Sequence, residues 1–130
     1  MSIEFNDITI IEMDDEATYK PDPNSALYDI VLKLSGSAPY DWAYYFNGRW
    51  QQHIYMMKRR ANVSGASLTI HCVPDELQKD HIPELNKIIT ETNQKYKAHL
   101  FEVEAKKQVD AKAASKEKDM LSDLKNNLKF

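Results

Sequence analysis

The sequence predicts an α+β domain: a two-layer sandwich of ββαββα order, with a mostly antiparallel four-stranded sheet and a long C-terminal helix. Three observations carry this. Segments 26–35 and 66–73 alternate apolar and polar residues with the period of a strand. Between them, Trp42, Phe46 and Trp50 recur with the period of a helix. No glycine or proline follows Pro83, so the rest of the 130-residue chain reads as helix.

The first strand is expected over residues 3–11, where Ile3, Phe5, Ile8 and Ile10 alternate with polar neighbours. A break in phase near Asn6-Asp7 suggests a bulge. The acidic run Asp14-Asp15-Glu16 and then Pro21-Asp22-Pro23-Asn24 are expected to end it in a loop. The second strand is the clearest. Tyr28, Ile30, Leu32 and Leu34 share one face, while Asp29 and Lys33 share the other with Leu27 and Val31.

Residues 39–53 satisfy two patterns. Asn47-Gly48 flanked by aromatics is a hairpin signal. Pro39 and Asp41 suit a first helical turn, and Trp42, Phe46 and Trp50 stand at i, i+4, i+8. That spacing favours helix, although Gly48 within it costs roughly 1 kcal/mol relative to alanine. Residues 58–63 and 66–73 then form a hairpin about Ser64-Gly65, with Leu68, Ile70 and Cys72 on its apolar face.

Pro74 to Leu77 can open a short helical turn. The final helix is expected to begin near residue 82, with Asp80 as N-cap, Pro83 in the first turn and Glu84 adding an acid there. Its stripe runs through Leu85, Ile89, Thr92, Tyr96, Leu100 and Val103, thickened by Ile82 and Ile88. A helix over 82–127 would be roughly 70 Å long at 1.5 Å per residue. The stripe fades after Val103 and resumes at Met120, Leu121, Leu124 and Leu128. The expected organisation is therefore a globular domain, 1–103, and a polar helical extension, 104–130. Heptad-like steps through Tyr96, His99 and Val103 break at Lys106 and Asp110, so residues 82–103 are expected to pack on the sheet.

Composition limits the function classes. Apolar residues make up 42% and charged residues 28%, as in ordinary globular domains. No apolar run reaches the ~18 residues of a membrane span. Residues 1–6 have neither the basic flank nor the apolar run of a secretory signal, and Cys72 is the single cysteine, so a cytoplasmic setting is expected. The net charge of −3 conceals an asymmetry. Residues 1–57 carry three basic and nine acidic side chains, residues 58–130 fourteen and eleven. Such a bipolar chain can steer an oriented encounter.

No catalytic, metal or cofactor constellation emerges. His71, Cys72, Asp75 and His81 do not match a zinc pattern, and adjacent strand residues point to opposite faces. A Cys72 nucleophile would need a base within reach and a lowered thiol pKa, which no motif supplies. Cys72 is read as a core residue and His81 as a surface histidine near a helix start. Three glycines cannot build a phosphate loop by spacing.

The distinctive segment is aromatic. Tyr40, Trp42, Tyr44, Tyr45, Phe46, Trp50 and Tyr55 are more than half of the chain's aromatic residues. A helix buries one stripe of these and leaves Tyr40 or Tyr44 toward solvent. The expected function is a small non-catalytic interaction module, an inhibitor, adaptor or assembly factor of bacterial or phage type. It would bind another protein chain, either a copy of itself or a different one. Its candidate partner surface is Trp42, Tyr44, Tyr45, Arg49, Lys58, Arg59 and Arg60, and its candidate tail interface Met120, Leu121, Leu124 and Leu128. The alternative is nucleic-acid binding through the aromatic-basic segment 40–60. Against it, the chain is acidic overall, and Lys58-Arg59-Arg60 could simply guard an edge strand from aggregation.

Overall fold

The computed structural model describes residues 5–129. They fall into two units, residues 5–96 and residues 97–129. The first holds strands β1 (Ile10–Tyr19) and β2 (Tyr28–Leu34), helix α1 (Tyr40–Gln52), strands β3 (Arg60–Ser64) and β4 (Ser67–Cys72), and the start of helix α2 (Ile82–Asn127). The order is ββαββα, as the sequence predicts. The sheet runs β1-β2-β4-β3 and every pairing is antiparallel. The chain therefore leaves the middle of the sheet after β2, passes through α1 and returns at the far edge.

Alternation along the strands builds the core. Ile30 lies opposite Ile70 and Leu32 opposite Leu68, so β2 and β4 turn their apolar sets to one face. That face buries Ile30, Leu32, Leu34, Leu68, Ile70 and Cys72 together with Trp42, Phe46 and Trp50 of α1 and Leu85, Ile88 and Ile89 of α2. The α1 rings form a stepped stack: Trp42 and Phe46 are 5.7 Å apart and 3° from parallel, Phe46 and Trp50 6.1 Å and 9°. The helix reading of residues 39–53 is thus the one the chain adopts. Gly65 closes the β3–β4 hairpin at φ +60°, the left-handed geometry wanted at the first position of a two-residue turn.

Several boundaries differ from expectation. The first strand is not residues 3–11 but Ile10–Tyr19, and the acidic run lies inside it. (Ile3 falls outside the described residues.) The run is accommodated because the pairing with β2 slips between Asp14 and Tyr19. Within that bulge Asp14 Oδ1 accepts from the Ala17 amide at 3.1 Å, and Thr18 Oγ1 accepts from the Val31 amide at 3.0 Å. A local carboxylate acceptor thus replaces ladder bonds that the bulge forgoes. Ile8 is buried outside any strand, held by Asn93. Lys58 and Arg59 precede β3 and are not part of it. Asp80 is not an N-cap, because a wide π turn at Leu77–His81 runs directly into α2. His81 is not a surface residue; it is fully buried.

In the second unit α2 continues to Asn127, and residues 105–129 are exposed.

Candidate functional site

The outward face of α1 borders an open depression of about 900 Å³. Tyr40, Tyr44, Tyr45 and Arg49 line it from the helix, Val63, Ser64 and Gly65 from the β3–β4 turn, and Lys95 from α2. Helical geometry makes this face. With Trp42, Phe46 and Trp50 committed to the core, Tyr40 and Tyr44 point away from it, 83% and 67% exposed. Tyr45 is half-buried, with the Lys95 ammonium 4.6 Å from its ring centroid. Arg49 Nε donates to Glu91 Oε2 at 3.0 Å, joining α1 to α2 beside the depression.

Two asparagines hold this face in place. Asn47 Oδ1 accepts from the Val63 amide at 2.7 Å, and its Nδ2 donates to the Val63 carbonyl at 3.2 Å. The side chain thus completes the backbone pairing of edge strand β3 from α1. Asn93 is buried and does the same for Ile8: Oδ1 accepts from the Ile8 amide at 3.0 Å and Nδ2 donates to the Ile8 carbonyl at 2.9 Å. Asn93 Oδ1 also accepts from Trp42 Nε1 at 2.9 Å. Sequence reasoning missed both. Asn47 was hidden by the turn signal it shares with Gly48, and Asn93 by standing beside Thr92 on the buried stripe, where an asparagine signals a bond whose partner is distant in sequence.

At the other end of α1 the chain turns through a polar cluster. Lys58 Nζ donates to the carbonyls of Trp50 and Gln51, closing the helix C-terminus with a cation. Arg59 makes a bidentate pair with Glu76, Nε–Oε2 3.1 Å and Nη2–Oε1 2.9 Å. His81 Nε2 donates to Glu76 at 3.0 Å, and in the neutral ring Nδ1 accepts from the Tyr55 hydroxyl at 2.8 Å. The Arg59 guanidinium, and then His81, hold the Glu76 carboxyl down to about 2. Burial pushes the Tyr55 phenol up to about 12 and the Cys72 thiol up to about 11. Tyr55–His81–Glu76 has the order of an acid–base relay, yet both potential nucleophiles, phenol and thiol, stay protonated at neutral pH. Every buried side-chain nitrogen and oxygen among the described residues has a hydrogen-bond partner, and Arg59 and His81 are part of that closure. These bonds tie the 53–60 segment to the turns at 74–81 that lead into α2.

The other face of the sheet carries a second depression of about 650 Å³. There His71 Nδ1 and Asp29 Oδ1 meet at 2.6 Å across the β2–β4 register, with Arg60 opposite His71 on β3.

The candidate partner residues therefore divide. Tyr44, Tyr45 and Arg49 share the α1 depression, joined by Tyr40. Lys58, Arg59 and Arg60 border the second one. Trp42 is withdrawn from the contact surface: it is fully buried, stacked on Phe46 and bonded to Asn93. The tail residues Met120, Leu121, Leu124 and Leu128 are each more than half exposed. Among the described residues no group of three or more His, Cys, Asp or Glu is placed to hold a metal ion, and no helix is long and apolar enough to cross a membrane. Comparison with protein-family models, with curated proteins and with solved structures finds no match for this chain.

Proposed function

We propose that residues 5–96 form a non-catalytic interaction module, an inhibitor, adaptor or assembly factor of bacterial or phage type, that takes another protein chain on the outward face of α1. The observation that carries this reading is the exposed pair Tyr40 and Tyr44 at the rim of the α1 depression. Tyrosine offers a large amphipathic ring at low entropic cost and is enriched with arginine at the energetic centres of interfaces. The rings stand on a helix fixed by three stacked core aromatics and by Asn47, so little ordering opposes binding. A cytoplasmic setting goes with this reading, supported by a lone cysteine that is buried.

A second reading, nucleic-acid binding through segment 40–60, draws on the gathering of Lys58, Arg59, Arg60 and His71 at the second depression. It ranks lower for two reasons. Lys58 and Arg59 bond within the chain, and the exposed tyrosines border the other depression, so stacking and phosphate contacts do not share one track.

The test is capture by the immobilised full chain and by its Tyr40→Ala/Tyr44→Ala variant. A protein that binds the native chain should bind the variant about tenfold or more weakly, with the unfolding midpoint unchanged. Equal retention by both contradicts the reading. Retention of single-stranded RNA or DNA that falls steeply with salt favours the second reading instead.

A further inference from the structure

We infer that the second unit is an antiparallel self-association helix, in which residues 100–124 of one chain pair with the same residues of another copy. The leucines near the end set the heptad frame. Leu121, Leu124 and Leu128 follow at three- and four-residue steps, and the same frame carried back meets Glu117, Ala114, Asp110, Lys107, Val103 and Leu100. Along one helix this seam is apolar at both ends and charged in the middle. Leu100 is half-buried; the other seam residues are exposed, Val103 at 37% and Leu121, Leu124 and Leu128 at 51–55%.

Set against itself in reverse, with the two-fold axis beside Lys112, the seam brings apolar ends together and Lys107 opposite Glu117. Leu100 meets Leu124 of the second copy, Val103 meets Leu121, Lys107 meets Glu117, and Asp110 meets Ala114. The two-fold axis repeats each contact. Ala111 and Ala113 flank the axis, so the two backbones can approach closely where the seam holds no large side chain. Beside the seam, Glu104 falls near Lys118 of the second copy. A parallel pairing of the same frame stacks Lys107 on Lys107, Asp110 on Asp110 and Glu117 on Glu117, placing like charges at the centre, where a seam tolerates them least. Charge pattern thus selects both the occupant, another copy of this chain, and its direction. Phe101 and Val109 lie outside the seam in this register.

Light scattering and sedimentation of the full chain over a concentration series test this. A reversible dimer is expected, weakened about tenfold or more by Lys107→Glu or Glu117→Lys alone, since each makes two like-charge contacts per dimer. The double variant, with the charges exchanged, should restore it. Helical circular dichroism confirms that the variants stay folded. Labels at Asn127→Cys then read direction, because antiparallel helices hold the two sites on the order of 45 Å apart at 1.5 Å per residue. A monomer at every concentration, a dimer indifferent to both single exchanges, or labels in close contact each overturns the proposal.

Discussion

Asn93 ties the segment before β1 and helix α1 to α2 through one buried side chain. Three polar groups from two other segments converge on one buried amide: the Ile8 N–H, the Ile8 carbonyl and Trp42 Nε1. Asn93→Ala leaves all three without a partner away from water. At about 1–3 kcal/mol for each unsatisfied group, partly relieved by local rearrangement, the loss should be about 3–5 kcal/mol in urea unfolding. A loss under about 1 kcal/mol would mean that water reaches these groups. Glu76 gives a pH-dependent counterpart. Its carboxyl is held down to about 2 against an ordinary value of 4.5, so its contribution is full above 4.5 and is lost as pH falls toward 2. The urea midpoint should therefore drop through that window, and Glu76→Gln should flatten the drop while lowering stability at pH 7. At this scale the sequence was least legible. Trp42, Phe46 and Trp50 announce themselves by spacing, but the polar residues that lock them, Asn47, Asn93 and His81, act through partners far away in the chain. The ring of Trp42 has the chemistry of an interface residue, but its own helical stripe consigns it to the core.

Elements were far easier to foresee, and the exceptions have physical causes. β2 and β4 are central and buried on one face, so strict alternation marks them. β1 is an edge strand, and an edge tolerates charge and bulges; Asp14-Asp15-Glu16 therefore disguises a strand as a loop. α2 begins without a cap because the π turn before it already supplies helical backbone. In α1 the competition between helix and hairpin is resolved by where Asn47 is used. Its side chain serves Val63 on β3, so Asn47-Gly48 stays inside a helix. Asn47→Ala should cost about 1–2 kcal/mol and raise amide exchange at Val63 more than at Leu68 on β4. Uniform exchange across the hairpin would show that β3 does not depend on α1 for its outer pairing.

Across the whole molecule, two surfaces stand ready on separate units. One is the tyrosine face of α1, presented by a rigid core. The other is the charge-patterned face of α2, proposed to pair with its own reverse in a second copy. The fold class was readable from periodicity, and the long terminal helix from a stretch free of glycine and proline after Pro83. That Tyr40 or Tyr44 faces solvent was readable too, because a helix with three residues committed to one stripe must turn others outward; in the structure both do. The division of the basic residues onto a different depression was not, since it depends on Lys58 and Arg59 being drawn into the cap of α1 and the Glu76 pair. The most direct measurement is site-specific photo-crosslinking in cells that make this protein, with the reactive residue at Tyr44 and, as the control, at Asn62 in the second depression. The expected result is a discrete protein adduct from position 44 and none from position 62. Adducts from position 62 alone, to protein or to RNA, or no adduct from position 44, would contradict the assignment of the α1 face.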